Sequence, residues 1–198
     1  MKKLVGLIIV ALIATAGGVF WFQSKINETI NTKIDELNNN GFAVKHEQTT
    51  NYMKTSAKGE IEVVYPDKAI SYILADMKKP ELKKALEIQY NSLNSNDKST
   101  FFEGIKFDYD FIFENFNGKF NSNIYLSNLS KKVMYNLSTD TENETSKWLL
   151  NFLKDKKIQV SINEKKEYKV TDIDTVIPDA VFITIRGWNG NEKNSTIP

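Results

Sequence analysis

The stretch that decides the fold is residues 105–126, IKFDYDFIFENFNGKFNSNIYL. Apolar and polar residues alternate along its first half, which is typical of a β-strand with one buried face. The apolar positions put four aromatic residues on one face of this strand: Phe107, Tyr109, Phe111 and Phe113. Asn117-Gly118 is a strong hairpin-turn signal. We therefore predict that the turn joins this strand to a second one, whose apolar residues are Phe120, Ile124 and Leu126.

Downstream of this hairpin, the pattern predicts further strands and one helix. Alternation of Val133, Tyr135 and Leu137 predicts a third strand, which would complete an antiparallel meander. Thr141-x-x-Glu144 has the spacing of a capping box. The helix that it would open buries Trp148, Leu149, Phe152 and Leu153. Residues 158–170 predict another hairpin, and residues 181–185 predict a last strand.

Upstream, the chain reads as two strands and then two helices. Residues 42–65 contain two alternating segments separated by a polar stretch. Pro66 and Pro80 each precede an apolar helical face, and proline is favoured in the first turn of a helix. Strands and helices occur in runs without regular βαβ alternation, so the predicted fold class is α+β, an antiparallel sheet covered by short amphipathic helices.

The N-terminal segment reads as a membrane anchor. Lys2 and Lys3 precede the run LVGLIIVALIATAGGVFWF, residues 4–22, which carries no charge. A helix of this length reaches about 28 Å, close to the ~30 Å hydrocarbon thickness of a bilayer. Because the lysines stand on the short leading side, we predict that the N-terminus stays in the cytoplasm and that the rest of the chain is exported. A secretory signal cleaved after Ala16 is the alternative.

These segments predict four parts of the chain. Residues 1–22 would be a transmembrane signal anchor, and residues 23–41 a stalk helix with an apolar stripe that ends at Asn-Gly. Residues 42–188 would form the exported α+β domain, and residues 189–198 a flexible polar tail.

The composition excludes several kinds of chemistry. The chain has 198 residues, no Cys and a single His, so thiolate nucleophiles, Cys-ligated metals and paired histidines are excluded. Without Lys2 and Lys3, 24 of the 26 basic residues remain against 25 acidic ones, a net charge of −1. We therefore expect no nucleic-acid partner. No Gly-rich phosphate loop or Gly-x-Ser-x-Gly motif occurs, and we predict no cofactor, no metal and no catalytic residue.

The double-lysine start, the apolar run, the striped helix and then GFAVKHEQTTNYMKTSAKGEIEV, residues 41–63, resemble the N-terminal region of the YdgA-like family of exported bacterial proteins of unknown function. The resemblance covers about the first third of the chain. It implies an anchor in a bacterial inner membrane and a β-rich domain in the periplasm. It implies no reaction, and the family offers no catalytic residues for residues 66–198.

A few side chains are candidates for chemistry, each with a plain structural alternative. His46 could be a general base or pH sensor, or a structural strand residue. Asp108 with Asp110, and Asp172 with Asp174, have a spacing that places two carboxylates on one strand face, where they could bind a divalent metal or simply be solvated. A basic spot for lipid headgroups could form around Pro80 from Lys78, Lys79, Lys83 and Lys84, or these could be ordinary helix-surface residues.

Asn194 is a candidate modification site in the tail. Glu192-Lys193-Asn194-Ser195-Thr196 fits the Asn-x-Ser/Thr acceptor and has an acid two positions before the Asn. The alternative is chance, since an Asn-rich chain forms such triplets freely.

Two classes of function are compatible with these observations. The first is a non-catalytic, membrane-anchored envelope protein that docks other proteins through strand edges or exposed aromatic residues. The second is a protein that binds or transfers a lipid or another apolar ligand in a groove along the aromatic face of the sheet, formed by Phe107, Tyr109, Phe111 and Phe113. The sequence does not decide the oligomeric state.

Overall fold

The computed structural model describes residues 26–77, 80–114, 117–165, 167–178, 181–187 and 189–191. The predicted anchor, residues 4–22, lies outside these residues. Among the described helices, none is both long and apolar enough to cross a membrane.

The described chain is a mixture of helices and strands in the order α, β, β, α, α, α, β, β, α, α and then five strands. The helices are α1 (Ile26–Asn39), α2 (Pro66–Ala75), α3 (Pro80–Asn91), α4 (Ser95–Phe102), α5 (Lys131–Thr139) and α6 (Glu144–Lys154). The first strands are β1 (Phe42–Thr50), β2 (Lys54–Val63), β3 (Lys106–Glu114) and β4 (Phe120–Asn128). The later strands are β5 (Gln159–Asn163), β6 (Glu167–Val170), β7 (Ile173–Ile177), β8 (Val181–Ile185) and β9 (Asn189–Asn191).

Seven of these strands form one sheet in the order β1-β2-β3-β4-β5-β6-β9. The pairs β4–β5, β5–β6 and β6–β9 are antiparallel, with Ile124 opposite Val160 and Val160 opposite Val170. β7 and β8 form a separate antiparallel pair. The prediction of an α+β fold with an antiparallel sheet is confirmed.

The chain divides into two compact units, and the first is mainly helical. The described residues of this helical unit lie within 26–44, 61–106 and 129–133. Pro66 opens α2 at its first turn, where the missing proline N–H costs no hydrogen bond. The core of the unit contains Ile30, Phe42, Ile61, Val63, Ala69, Ile70, Ile73, Leu74, Tyr90, Phe102 and Ile105. Burial of these apolar side chains is the main favourable term in its folding.

A half-buried polar cluster ties α1 to α2 within the helical unit. The Nζ of Lys33 donates to Glu36 Oε2 at 2.8 Å and also to the Tyr72 hydroxyl, which in turn donates to Glu36 Oε1 at 2.7 Å. Burial raises the pKa of Glu36, but the hydrogen bonds from Lys33 and Tyr72 outweigh it and leave this pKa below its ordinary value.

The second unit is called the sheet unit, and its described residues lie within 45–60, 107–128 and 134–191. The Asn117-Gly118 turn forms as predicted, and Gly118 has a φ of 67°, a left-handed conformation that glycine adopts without strain. α6 packs against β4. The core of the sheet unit contains Ala57, Phe107, Phe111, Phe120, Ile124, Leu126, Leu153, Val160, Ile162 and Val170.

The prediction of a third strand around Val133, Tyr135 and Leu137 is wrong, because these residues lie in the helix α5. Val133 and Leu137 are also four residues apart, so the same apolar pattern fits one face of a helix. Ser130 favours the helix over the strand, because its Oγ accepts a hydrogen bond from the N–H of Val133 at 3.4 Å, as the side chain of an N-cap residue does.

Two other helix starts differ from the prediction. The residue that caps α6 is Asn143 rather than Thr141, and its side chain accepts hydrogen bonds from the N–H groups of Thr145 and Ser146. The sequence pattern also missed α4, which is short and weakly amphipathic. Asn94 caps this helix by accepting from the N–H of Asp97 at 2.9 Å.

The C-terminal region contains more β structure than predicted. β7 was not predicted, and it pairs with the predicted strand β8. The predicted tail, residues 189–198, begins with the short strand β9 that pairs with β6. Residues 192–198, and with them Asn194, lie outside the described residues.

Candidate functional site

The strongest candidate site is the β1–β2 hairpin, at the end of its two strands. Asn51 holds the turn, because its Oδ1 accepts hydrogen bonds from the N–H groups of Met53 and Lys54, both at 2.9 Å. Asparagine favours this geometry because its short side chain can bond the backbone two or three residues further on. The tip of the hairpin therefore has a defined shape.

Two large apolar side chains stand on this tip. Tyr52 is 80% exposed and Met53 is 63% exposed. A single exposed apolar residue on a protein surface is ordinary, but an adjacent aromatic and methionine on a structured turn form a compact contact surface. Aromatic residues and methionine are enriched in protein–protein interfaces.

β1 lies at one end of the seven-stranded sheet within the described chain. The N–H of Asn51 donates to the carbonyl of Lys54 at 3.0 Å. Hydrogen bonds in an antiparallel pair recur at every second residue. The backbone groups of Glu47 therefore face β2, whereas those of His46 and Thr50 point to the outer side of β1. This outer side is an edge to which another strand could add.

Opposite charges face each other across the two strands of the hairpin. Lys45 Nζ lies 2.9 Å from Glu60 Oε1, and Lys58 Nζ lies 2.9 Å from Glu47 Oε2. These ion pairs stand on the face of the hairpin that points away from the core. Exposed pairs of this kind contribute little to stability, about 0 to 1 kcal/mol each, so their main effect is on the charge pattern of the surface.

On the other face, His46 is bound to Tyr109 of β3. His46 Nδ1 lies 2.6 Å from the Tyr109 hydroxyl, and the two rings are stacked with centroids 6.1 Å apart. Gly59 makes this possible, because a Cβ at this position would overlap the Tyr109 ring and the Lys45 carbonyl oxygen. Burial raises the pKa of Tyr109 to about 12, so its hydroxyl stays protonated at neutral pH. This arrangement favours a structural role for His46.

The predicted aromatic face contributes to the core of the sheet unit. Phe107 and Phe111 are buried, whereas Tyr109 and Phe113 are partly exposed. The rings of Phe111 and Phe120 have centroids 6.0 Å apart, so these two side chains pack on each other.

The first predicted acid pair is engaged with protein partners. Asp108 Oδ2 lies 3.2 Å from Lys156 Nζ, and Asp110 Oδ1 accepts from the Asn123 side-chain amide at 2.9 Å. Tyr125 is also bonded to Asp110. Burial first, and then this carboxylate, raise the pKa of Tyr125 to about 12.

The remaining sequence-predicted residues are dispersed. Asp172 Oδ1 accepts a hydrogen bond from the backbone N–H of Gly187 at 2.6 Å. Asp174 lies in β7, and its side chain is not among those that the structure describes. Lys83 and Lys84 are on α3, and Lys78 and Lys79 lie outside the described residues. Within the part of the chain that the structure describes, there is no group of three His, Cys, Asp or Glu residues that could hold a metal ion.

Sequence reasoning missed the hairpin tip as a site. The available signal was the apolar pair Tyr52-Met53 between Asn51 and Lys54, in a stretch that otherwise has turn character. Alternation alone does not reveal such a pair, since exposure at a turn depends on where the two strands end.

Comparison of the chain with family models, with curated proteins and with solved structures finds no match in any of the three. The resemblance of the N-terminal third to the YdgA-like family stays a prediction.

Proposed function

We propose that this chain is a non-catalytic protein of the bacterial cell envelope that acts by binding another protein through its β1–β2 hairpin. Residues 4–22 anchor it as a single-pass protein of the inner membrane, and the C-terminal domain stands in the periplasm. The observation that carries the binding role is the exposed pair Tyr52 and Met53 on a turn held by Asn51.

A turn that is already ordered lowers the free-energy cost of binding a partner. Association loses free energy when loops and side chains must be ordered at the interface, and a preformed surface reduces that loss. The hydrogen bonds that Asn51 Oδ1 accepts from the N–H groups of Met53 and Lys54 order the turn before any partner binds. Contact with a partner would then remove the apolar surface of Tyr52 and Met53 from water, which is favourable by about 25 cal/mol per Å².

The alternative function, lipid or apolar-ligand binding in a groove of the aromatic face, has less support. Phe107 and Phe111 would have to line such a groove, but both are buried in the core of the sheet unit. The packing of Phe111 on Phe120 favours a filled core. Mass spectrometry of the detergent-free exported domain would detect a co-purifying lipid and would then favour the alternative.

Site-specific photocrosslinking in the native host tests the proposed function. A photoreactive amino acid replaces Tyr52 in the full chain, and the matched control carries it at Tyr135 of α5, which is 67% exposed. We expect a discrete crosslinked protein of defined mass from position 52 and only diffuse products from position 135. Equal products from both positions would show that exposure alone accounts for the crosslinking, and the hairpin would lose its assigned role.

The topology is tested separately. A reporter that is active only outside the cytoplasm, fused after Pro198, should be active, and the mature chain should remain in the membrane fraction. A soluble product beginning at Gly17 would refute the anchor but would leave export intact.

A further inference from the structure

We propose that β1 pairs with β1 of a second copy of this chain, antiparallel and about a two-fold axis that passes between the two His46 residues. This inference rests on the proposed function, because it names a partner for the same hairpin. It makes the chain a homodimer whose two sheets join edge to edge.

The backbone of β1 suits this pairing at His46, whereas the N–H of Val44, the preceding outward-facing residue, already donates to Asn38 Oδ1 at 3.0 Å and is not available to a second copy. Because the N–H of Asn51 bonds to the Lys54 carbonyl and the pattern repeats every second residue, the N–H and C=O of His46 point away from β2. At a two-fold axis, His46 of one copy can therefore exchange two backbone hydrogen bonds with His46 of the other. Symmetric dimers use one surface patch twice, so the patch must be complementary to itself.

The charges on β1 meet that condition. With the axis at His46, Lys45 of each copy stands opposite Glu47 of the other copy. These are non-hydrogen-bonded positions, where the side chains of antiparallel strands come closest. Both residues are exposed and lie on the same face of β1.

The existing ion pairs extend this complementarity. Within one copy, Lys45 pairs with Glu60 and Glu47 pairs with Lys58. A row of four side chains would then cross the two hairpins at each side of the axis. It consists of Glu60 and Lys45 of one copy, followed by Glu47 and Lys58 of the second copy. The signs alternate along the whole row, so every charge has opposite charges as its neighbours.

Other two-fold pairings of β1 do not place opposite charges across the axis. An axis at Glu47 would place this acid opposite itself, and it would require backbone groups that already face β2. An axis at Gln48 would place Glu47 opposite Thr49 and would leave no interchain ion pair. An unrelated strand would have to match Lys45, and a lysine on an edge strand discourages non-specific pairing. The charge pattern therefore selects a second copy.

Trans-complementation of two charge variants of the full chain tests the proposal. Glu47→Lys leaves lysines at both positions, and Lys45→Glu leaves acids at both. Each variant alone would oppose like charges across the axis, whereas a mixed dimer of the two would restore both opposite-charge pairs. Because each variant changes its own hairpin identically alone and in the mixture, damage to folding cannot produce recovery on mixing.

The measurement is native mass spectrometry of detergent-solubilised full chains that carry two distinguishable tags. We expect the wild-type chain to form dimers, each variant alone to dimerise about tenfold more weakly or worse, and the mixture to recover the mixed dimer. Lys119→Glu, an exposed charge reversal outside β1, should dimerise like the wild type. A monomeric wild type, a mixture without recovery, or an equal loss with Lys119→Glu would each overturn the proposal.

The crosslinking experiment separates this inference from the proposed function. If the β1 dimer fails these tests while position 52 still crosslinks a different protein, the hairpin binds a partner but not a second copy. If position 52 gives no specific product while the mixed dimer recovers, the self-pairing edge is correct and binding at the tip is refuted.

Discussion

Replacement of Phe111 by Ala gives the most direct test of how the sheet unit is held together. Phe111 is 5% exposed and packs on Phe120, whereas the next residue, Ile112, points to the opposite face and is 44% exposed. A buried aromatic side chain removes about 150–250 Å² from water. At about 25 cal/mol per Å² this corresponds to about 4–6 kcal/mol, and measured losses for Phe→Ala are about 3–5 kcal/mol.

We therefore expect Phe111→Ala to reduce the free energy of unfolding by about 3–5 kcal/mol, a large part of the 5–15 kcal/mol typical of a domain. Ile112→Ala, the matched control, should cost less than about 1 kcal/mol because much of its side chain already contacts water. Asp108→Ala should also cost about 0 to 1 kcal/mol, since it removes a partly exposed ion pair with Lys156.

The assay is urea unfolding of the detergent-solubilised full chain, followed by circular dichroism and by tryptophan fluorescence. Trp148 reports on the sheet unit because its ring stacks on Phe152 with centroids 5.1 Å apart. The midpoint should shift while the slope of free energy against urea stays constant. If Ile112→Ala or Asp108→Ala were as damaging as Phe111→Ala, the assignment of the two faces of β3 would be refuted.

Three further predictions concern single sites. Gly59→Ala should lower stability by about 1–3 kcal/mol in thermal unfolding, because its Cβ would overlap the Tyr109 ring; an unchanged melting temperature would contradict this close packing. Lys156 has a φ of 54°, so Lys156→Gly should have a free energy of unfolding about 1 kcal/mol higher than that of Lys156→Ala, and a higher urea midpoint. Equal midpoints of the two variants would mean that the backbone at this position is unstrained. Hydrogen bonds from Lys98 and then Tyr90 hold the pKa of Asp67 below its ordinary value, so the stability that Asp67 contributes is present above that ordinary pKa and is lost as the pH falls through the lowered one. Asp67→Asn should therefore flatten the loss of stability at acid pH, and an unaltered pH profile of unfolding would refute this linkage.

The sequence predicted those elements whose signals are local. Alternation in β3, the Asn117-Gly118 turn and proline at the start of α2 each depend on neighbouring residues, and each occurs where it was expected. The class, α+β with an antiparallel sheet, followed from the order of these elements.

The prediction of secondary structure failed where one apolar pattern fits both a strand and a helix. Val133, Tyr135 and Leu137 fit both a strand and a helix, and the cap from Ser130 favours the helix. The short strands β7 and β9 have weak patterns of their own. They form because a neighbouring strand supplies hydrogen bonds, and the sequence does not show which strand will be near.

The sequence by itself determined the absence of cysteine and histidine-pair chemistry, the apolar N-terminal run and the aromatic side of β3, on which Phe107 and Phe111 are buried. Only the tertiary structure decided that β1 is the edge of the sheet within the described chain, that Tyr52 and Met53 stand exposed on a turn held by Asn51, and that His46 is bound to Tyr109 across Gly59. The physical reason is the range of the interactions. Hydrophobic period, turn preference and composition act over a few residues, whereas strand order and exposure depend on contacts between residues far apart in the chain. The hairpin site belongs to this second kind.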